Sequence, residues 1–188
     1  MSPGVELYVV ELRFRFGGDL TYEGVVDVHV SSVGDLLLNA VDLGIRSVEV
    51  DGRPVDYSYD GRVLRVRGGP ISGVVRVLFS GRVGDRLLGI YRAPYRDGYM
   101  ITTQFEPTGA RYFIPCVDHP AVKARFRVRV LVDGDYDVIF NTPPVRVYWD
   151  GPWKVFEFAE TPPGCPRTSS TWALVGSLSP GIGLVMLT

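Results

Sequence analysis

Val9-Val10-Glu11-Leu12-Arg13-Phe14-Arg15-Phe16 reads as a half-buried β-strand, and the same reading repeats along most of the chain. Val10, Leu12, Phe14 and Phe16 alternate with Glu11, Arg13 and Arg15, the period-2 pattern that turns apolar side chains to one face of a sheet and charges to the other. The alternation recurs in Val26, Val28 and Val30, in Val75, Val77 and Phe79, and in Phe126, Val128, Val130 and Val132, with Arg127 and Arg129 facing away. Asp51-Gly52 and Asp60-Gly61 separate runs of β character. Glycine accepts positive φ at little steric cost, so both pairs mark tight hairpin turns and predict a meander over residues 45–67. Residues 153–158 predict another strand, and residues 171–178 and 182–187 a last pair. One short helix is predicted over residues 119–125, where Pro120 suits the first helical position and Asp118 or His119 can cap it. Prolines in Thr-Pro-Pro-Gly-Cys-Pro-Arg, residues 161–167, supply no ladder donors and predict an irregular loop. Facing antiparallel sheets bury this many alternating strands economically, so the fold class is an all-β sandwich.

Length and composition agree with one domain over residues 1–188. The formal net charge of -1 gives no basic footprint for nucleic acid and no polybasic patch for a membrane surface. No apolar run approaches the roughly 20 residues of a membrane span, and the first thirty residues alternate instead of forming a signal-peptide core. Those observations predict a cytoplasmic protein. Cys116 and Cys165 are the two cysteines, and without an export signal they read as reduced thiols. Lys123 and Lys154 are the only lysines, Gln104 the sole glutamine, and Asn39 and Asn141 the only asparagines. Scarce thermolabile amides fit a thermophilic source; codon bias in a GC-rich genome explains the same counts.

Residues 103–126 carry the densest set of unusual residues: Thr-Gln-Phe-Glu-Pro-Thr-Gly-Ala-Arg-Tyr-Phe-Ile-Pro-Cys-Val-Asp-His-Pro-Ala-Val-Lys-Ala-Arg-Phe. This run resembles the T-Q-x-E-P-x-x-A-R-x-x-x-P-C-x-D-E-P-x-x-K-A-x-F signature in the N-terminal domain of the zinc aminopeptidases related to aminopeptidase N, the tricorn-interacting factors and leukotriene hydrolase. Further landmarks keep the family's order. Residues 36–43, Leu-Leu-Leu-Asn-Ala-Val-Asp-Leu, resemble its L-x-L-N-x-x-x-L segment; Phe79-Ser80-Gly81 resembles F-x-G, and Gly89-Ile90-Tyr91-Arg92 resembles G-F-Y-R. Asn141-Thr142-Pro143 is similar to S-N-x-P, and residues 158–174 to F-x-x-T-P-x-M-S-T-Y-L-x-A. Two departures stand out. Asp118-His119-Pro120 replaces Asp-Glu-Pro, and Thr168-Ser169-Ser170-Thr171-Trp172 replaces Met-Ser-Thr-Tyr-Leu with extra loop residues.

The resemblance implies a saddle-like all-β domain that packs over a catalytic domain absent from this chain. It also implies that Glu106 reaches into the cleft and binds the free α-amino group of a peptide, with Gln104 as a second substrate contact. An ammonium in a partly dry cleft is costly unless a carboxylate pairs with it and accepts its donors, so a residue of this type counts peptides from their N-terminus. Arg111, Pro115, Asp118 and Pro120 complete the signature; Arg111 and Asp118 are expected to form an exposed pair holding its loop. The only histidines are His29 and His119, so the chain cannot build a His-Glu-x-x-His zinc helix. The implied cofactor, zinc, belongs to the full-length enzyme, and no residue here is expected to bind metal or to cleave a bond. Cys116 reads as a buried, inert thiol. Tyr91, Tyr95, Tyr99, Tyr112 and Phe113 read as core or domain interface. The expected partners are the peptide N-terminus, the catalytic domain and, through an exposed docking face, a second copy of the chain. A stand-alone β-sandwich adaptor or protein-binding module is the other reading of the same residues.

Overall fold

A computed structural model describes residues 4–16, 19–31, 34–95, 98–119 and 122–162, and the backbone of 173–175. The longest strands are those with the cleanest alternation. They are β1 (Gly4–Phe14), β2 (Thr21–Ser31), β8 (Gly73–Arg82) and β11 (Arg125–Asp133). With β4 (Gly44–Val50), β5 (Arg53–Pro54), β13 (Pro144–Asp150) and β14 (Trp153–Phe158) they form an eight-stranded sheet in the order β13-β14-β11-β1-β2-β8-β4-β5. All its ladders are antiparallel except β1 with β11, which run parallel. Register aligns the apolar positions: Leu12 lies beside Val130, and Val26 beside both Val10 and Val77. One face is therefore continuously apolar, and Val10, Leu12, Val26, Val75 and Val77 on it are fully buried.

Two smaller sheets share that core. Strands β12 (Asp137–Ile139), β15 (Ala173–Val175), β10 (Gly98–Gln104) and β9 (Gly89–Tyr95) make a four-stranded sheet, and β3 (Leu36–Asn39), β7 (Val63–Val66) and β6 (Tyr57–Tyr59) a three-stranded one. Leu38 and Leu64 from the second and Ile90 and Ile101 from the first belong to the same buried cluster as the large sheet's inner face. The fold is thus an open all-β sandwich in the expected class.

Three details differ from the sequence reading. The meander over 45–67 is split: β4 and β5 stay in the large sheet, whereas β6 and β7 cross to the three-stranded one. Strands β9 and β10 were not anticipated. The short helix expected over 119–125 is not formed among the described residues: His119 and residues 122–124 are irregular, with a single turn where the Val122 N–H donates to the His119 carbonyl (3.0 Å). The reason is visible in the burial. Val122 and Ala124 are buried on either side of exposed Lys123, so the period-2 pattern of β11 begins before the strand does and holds the chain extended. The only helical element among the described residues is a 3-10 turn at Ala110–Tyr112.

Of the loop over 161–167, Thr161 and Pro162 are described and lie outside any strand; the rest, Cys165 included, lies outside the described residues. So do the strand expected over 182–187 and most of that over 171–178, within which β15 falls.

Candidate functional site

Residues 104–118 form the crossing from the four-stranded sheet to the large one, and their backbone follows neither ladder nor long helix. Gln104 closes β10 opposite Gly89 of β9. Gly89 has φ +67, and a Cβ there would lie 2.5 Å from Tyr112 Cβ, so this partner of Gln104 must be glycine on both conformational and steric grounds. Phe105 then turns inward, 3% exposed, and stacks on Phe113 with ring centroids 5.6 Å apart. The Gly109 N–H donates to the Phe105 carbonyl at 2.6 Å, closing a tight turn. Glu106, Pro107 and Thr108, the tip of that turn, are exposed.

Segments far away in sequence hold this crossing. Tyr22 Oη, from the inner face of β2, donates to the Phe113 carbonyl at 2.6 Å, and Tyr8 Oη, from β1, accepts the Val117 N–H at 3.0 Å. Asn39, the last residue of β3, exchanges two backbone hydrogen bonds with Cys116 (2.7 and 3.0 Å), and its Oδ1 accepts the Asp118 N–H at 3.1 Å. The Val41 N–H donates to the Arg111 carbonyl at 2.8 Å. The large sheet and the three-stranded one thereby grip the irregular chain that leaves the four-stranded sheet. Burial pushes the Tyr22 hydroxyl well above the ordinary tyrosine pKa, which keeps it a neutral donor.

Arg111 Nε donates to Asp118 Oδ2 at 2.7 Å, and a second guanidinium nitrogen donates to the Asp118 carbonyl at 3.2 Å. The pair is not the exposed one expected from sequence. Asp118's side chain is 2% exposed and Arg111's 25%, so removing one partner strands a charge in a partly dry place. Pro115 and Cys116 are buried, His119 is exposed, and Pro120 lies outside the described residues. Phe113 is core, whereas Tyr91, Tyr95, Tyr99 and Tyr112 are half-buried.

The strand register places Gln104. Gln104, Thr102 and Met100 pair with Gly89, Tyr91 and Ala93, and paired residues share a face. The other face carries Ile90, Ile101 and Thr103, all buried, and further along it Arg92 and Pro94, both exposed. The face that Gln104 shares carries Tyr91, Ala93, Tyr95, Met100 and Thr102, every one half-buried and none charged, with Tyr95 and Met100 packed against the core. Glu106 sits two residues past its end. Among the described residues its carboxylate has no hydrogen-bond or ion-pair partner, and the Gln104 amide side chain has none either.

The sequence reading named Glu106 and Gln104 but missed what holds them. Tyr8 and Tyr22 occupy core-facing strand positions that an aliphatic residue would fill, and a tyrosine there needs a partner for its hydroxyl; that was the available signal. Zinc does not fit the described residues. They contain no group of three or more His, Cys, Asp or Glu side chains able to hold a metal ion. No helix among them is long and apolar enough to cross a membrane.

Comparison with known proteins agrees with this architecture. Residues 5–165 match the peptidase M1 N-terminal domain family. The chain is 42% identical over 159 residues to probable aminopeptidase 2 of Sulfurisphaera tokodaii, covering 84% of this chain and 20% of that protein. It is 45% identical over 161 residues to a leucyl aminopeptidase of Saccharolobus solfataricus, with coverages of 84% and 20%. It is 40% identical over 165 residues to tricorn protease-interacting factor F2 of Thermoplasma acidophilum, with coverages of 86% and 21%. The chain thus spans about a fifth of the length of these relatives. The crystal structure of an M1 zinc metallopeptidase from Deinococcus radiodurans, bound to a Tyr-Ser-Ala substrate, superposes with a TM-score of 0.77 at 21% identity, over 91% of this chain and 42% of that one.

Proposed function

The chain belongs to the peptidase M1 N-terminal domain family, and from that premise we propose that it is the substrate-side domain of a zinc-dependent aminopeptidase, with Glu106 taking the free α-amino group of the peptide. One observation supports the reading most: Glu106 is an exposed carboxylate without a partner among the described residues, on a turn whose base, Phe105, stacks on Phe113 within a crossing that two sheets hold in place. A surface carboxylate free to move would lose entropy on taking a ligand; one on a braced turn has lost much of it already.

The chemistry follows from donor counting. A peptide's terminal ammonium offers three N–H donors and a full charge, which a carboxylate can accept and neutralise. An internal peptide N–H offers one donor and no charge. Glu106 therefore favours substrates that begin at the bound residue, and Gln104, at the end of the uncharged face, can offer the amine a carbonyl oxygen. Bond cleavage itself falls to the part of the enzyme outside this chain, which supplies the zinc. The partly open, uncharged stretch of Tyr91, Ala93, Thr102 and Gln104 fits cover by that part, since interface cores are depleted in charge.

Two measurements test this. The open reading frame past the Thr188 codon is expected to encode a His-Glu-x-x-His motif; a stop codon there would favour the stand-alone adaptor. In the enzyme, free-amine peptides are expected to be cleaved and N-acetylated ones to be poor substrates, with the preference lost in Glu106→Ala. Equal discrimination by wild type and variant would sink the role given to Glu106.

A further inference from the structure

The turn that carries Glu106 has no ladder of its own, so its place depends on what holds its base. That base is Phe105, buried and stacked on Phe113, and the Phe113 carbonyl takes the Tyr22 hydroxyl at 2.6 Å. Tyr22 itself can hardly move. Its ring packs against Phe14 (5.2 Å), Phe79 (6.3 Å) and Phe113 (5.5 Å). It also lies across Gly81 on the neighbouring strand, where a Cβ would overlap it. A rigid ring on the large sheet thus ends in one hydroxyl aimed at the backbone of the residue on which the Glu106 turn rests. Asn39 and the Arg111–Asp118 pair hold the far end of the crossing, at residues 111–118.

We propose that Tyr22 is a positioning residue for amine recognition: its buried hydroxyl fixes Phe113, and through the Phe105–Phe113 stack sets where the Glu106 carboxylate stands. The proposal rests on the reading that Glu106 binds the α-amine. Without the hydroxyl, the Phe113 carbonyl loses a partner in a site that water does not reach, and a shift of the crossing toward another donor is favoured. The ring and its packing survive in Tyr22→Phe, so the substitution deletes the bond and leaves the hydrophobic contacts.

The test uses an amino-acid hydroxamate and its des-amino counterpart as inhibitors of the full-length enzyme. The ratio of their inhibition constants isolates amine recognition, because every other contact is common to both. Tyr22→Phe is expected to cut that ratio by about fivefold and to raise KM for a free-amine substrate more than it lowers kcat. Glu106→Ala, measured beside it, separates the two possible failures. If Glu106→Ala collapses the ratio while Tyr22→Phe leaves it within about twofold, the amine reading stands and Tyr22 is only structural. If neither variant moves the ratio, both ideas fall. On the 188-residue chain itself, hydrogen exchange of the Gly109 N–H should quicken by about tenfold in Tyr22→Phe while the amides of Val10 and Leu12 keep their rates; an unchanged Gly109 rate overturns the proposal. Should Tyr22→Phe fail to fold, Phe105→Leu breaks the stack from the other side and must lower the same ratio.

Discussion

On the outer face of the eight-stranded sheet, arginines and carboxylates answer one another across neighbouring strands. Arg129 reaches Glu11 at 2.6 Å, Arg76 meets Asp27 at 2.7 Å, and Arg125 and Arg127 share Glu160 at 2.6 and 2.8 Å. The face of β9 and β10 that Gln104 shares holds Tyr91, Ala93, Tyr95, Met100 and Thr102, half-buried and uncharged. Tyr95 and Met100 of that second face pack against the core, and Tyr91, Ala93, Thr102 and Gln104 make up its remaining, partly open stretch. Charges that satisfy one another in water suit a face that stays wet. An uncharged, half-buried face suits one covered by other protein, and Glu106 stands just past its end. On this contrast we propose that the Gln104 side of β9 and β10, with Glu106 just past its end, is the side that faces partner and substrate.

The largest expected effect tests whether Glu106 belongs to that second surface. In the full-length enzyme, Glu106→Ala removes one side of a charge-assisted, partly desolvated contact and is expected to cost about 2–5 kcal/mol in kcat/KM for free-amine peptides. Part should appear in kcat, since the amine also sets the register of the scissile bond. Glu106→Gln should retain more, because an amide oxygen still accepts a hydrogen bond. A loss below about 0.5 kcal/mol would make Glu106 an ordinary turn residue.

Next in size is the clamp. Asp118→Ala leaves the Arg111 charge facing a buried gap, and urea unfolding of the chain should show a loss of about 3 kcal/mol, at the low end for broken buried pairs because Arg111 keeps a quarter of its surface in water. A loss under about 1 kcal/mol would put the clamp on a par with the outer-face pairs, and the crossing would have to be held by Tyr8, Tyr22 and Asn39.

The third prediction concerns the uncharged face directly. If it is left open in the isolated chain, it should drive weak self-association, and Ala93→Glu should raise the dimer dissociation constant at least tenfold, about 1.4 kcal/mol. Light scattering across concentration decides this. A wild-type chain that stays monomeric at high concentration would remove the main reason for calling the face a docking surface.

The same contrast explains what could be read in the sequence. Strands β1, β2, β8 and β11 announce themselves because water on one side and core on the other force alternation on residues such as Glu11 and Leu12. Strands β9 and β10 hold a single charge, Arg92, exposed on β9, so uncharged neighbours such as Tyr91 beside Ile90 and Thr102 beside Ile101 give little period to detect. The helix expected over 119–125 rests on Pro120 as a helix start, whereas the buried–exposed–buried run Val122-Lys123-Ala124 belongs to an extended chain. Glu106 and Gln104 were legible through the family signature. Their supports were not: the Tyr22–Phe113 bond spans 91 residues and that of Tyr8 to Val117 spans 109, and a hydroxyl's partner at that separation leaves no local mark.

The smallest effect is expected on the charged face, although its geometry looks strong. Arg76 holds Asp27 by two bonds of 2.7 Å, and that carboxylate pushes the guanidinium pKa up from its ordinary value. Half of the Arg76 side chain is exposed, against 17% of Asp27, so water screens the attraction and competes for both groups. A double-mutant cycle with Arg76→Ala and Asp27→Ala should therefore give a coupling of about 0.2–1 kcal/mol. The coupling should shrink as salt is raised toward 1 M, where the Debye length is about 3 Å. The clamp at Asp118 should keep most of its contribution under the same salt, because its carboxylate lies out of reach of the ions. A salt-insensitive coupling above about 2 kcal/mol at Arg76–Asp27 would mean that the outer face is as dry as the crossing. The contrast between the two surfaces would then fail, and the large sheet would become the better candidate for the covered side.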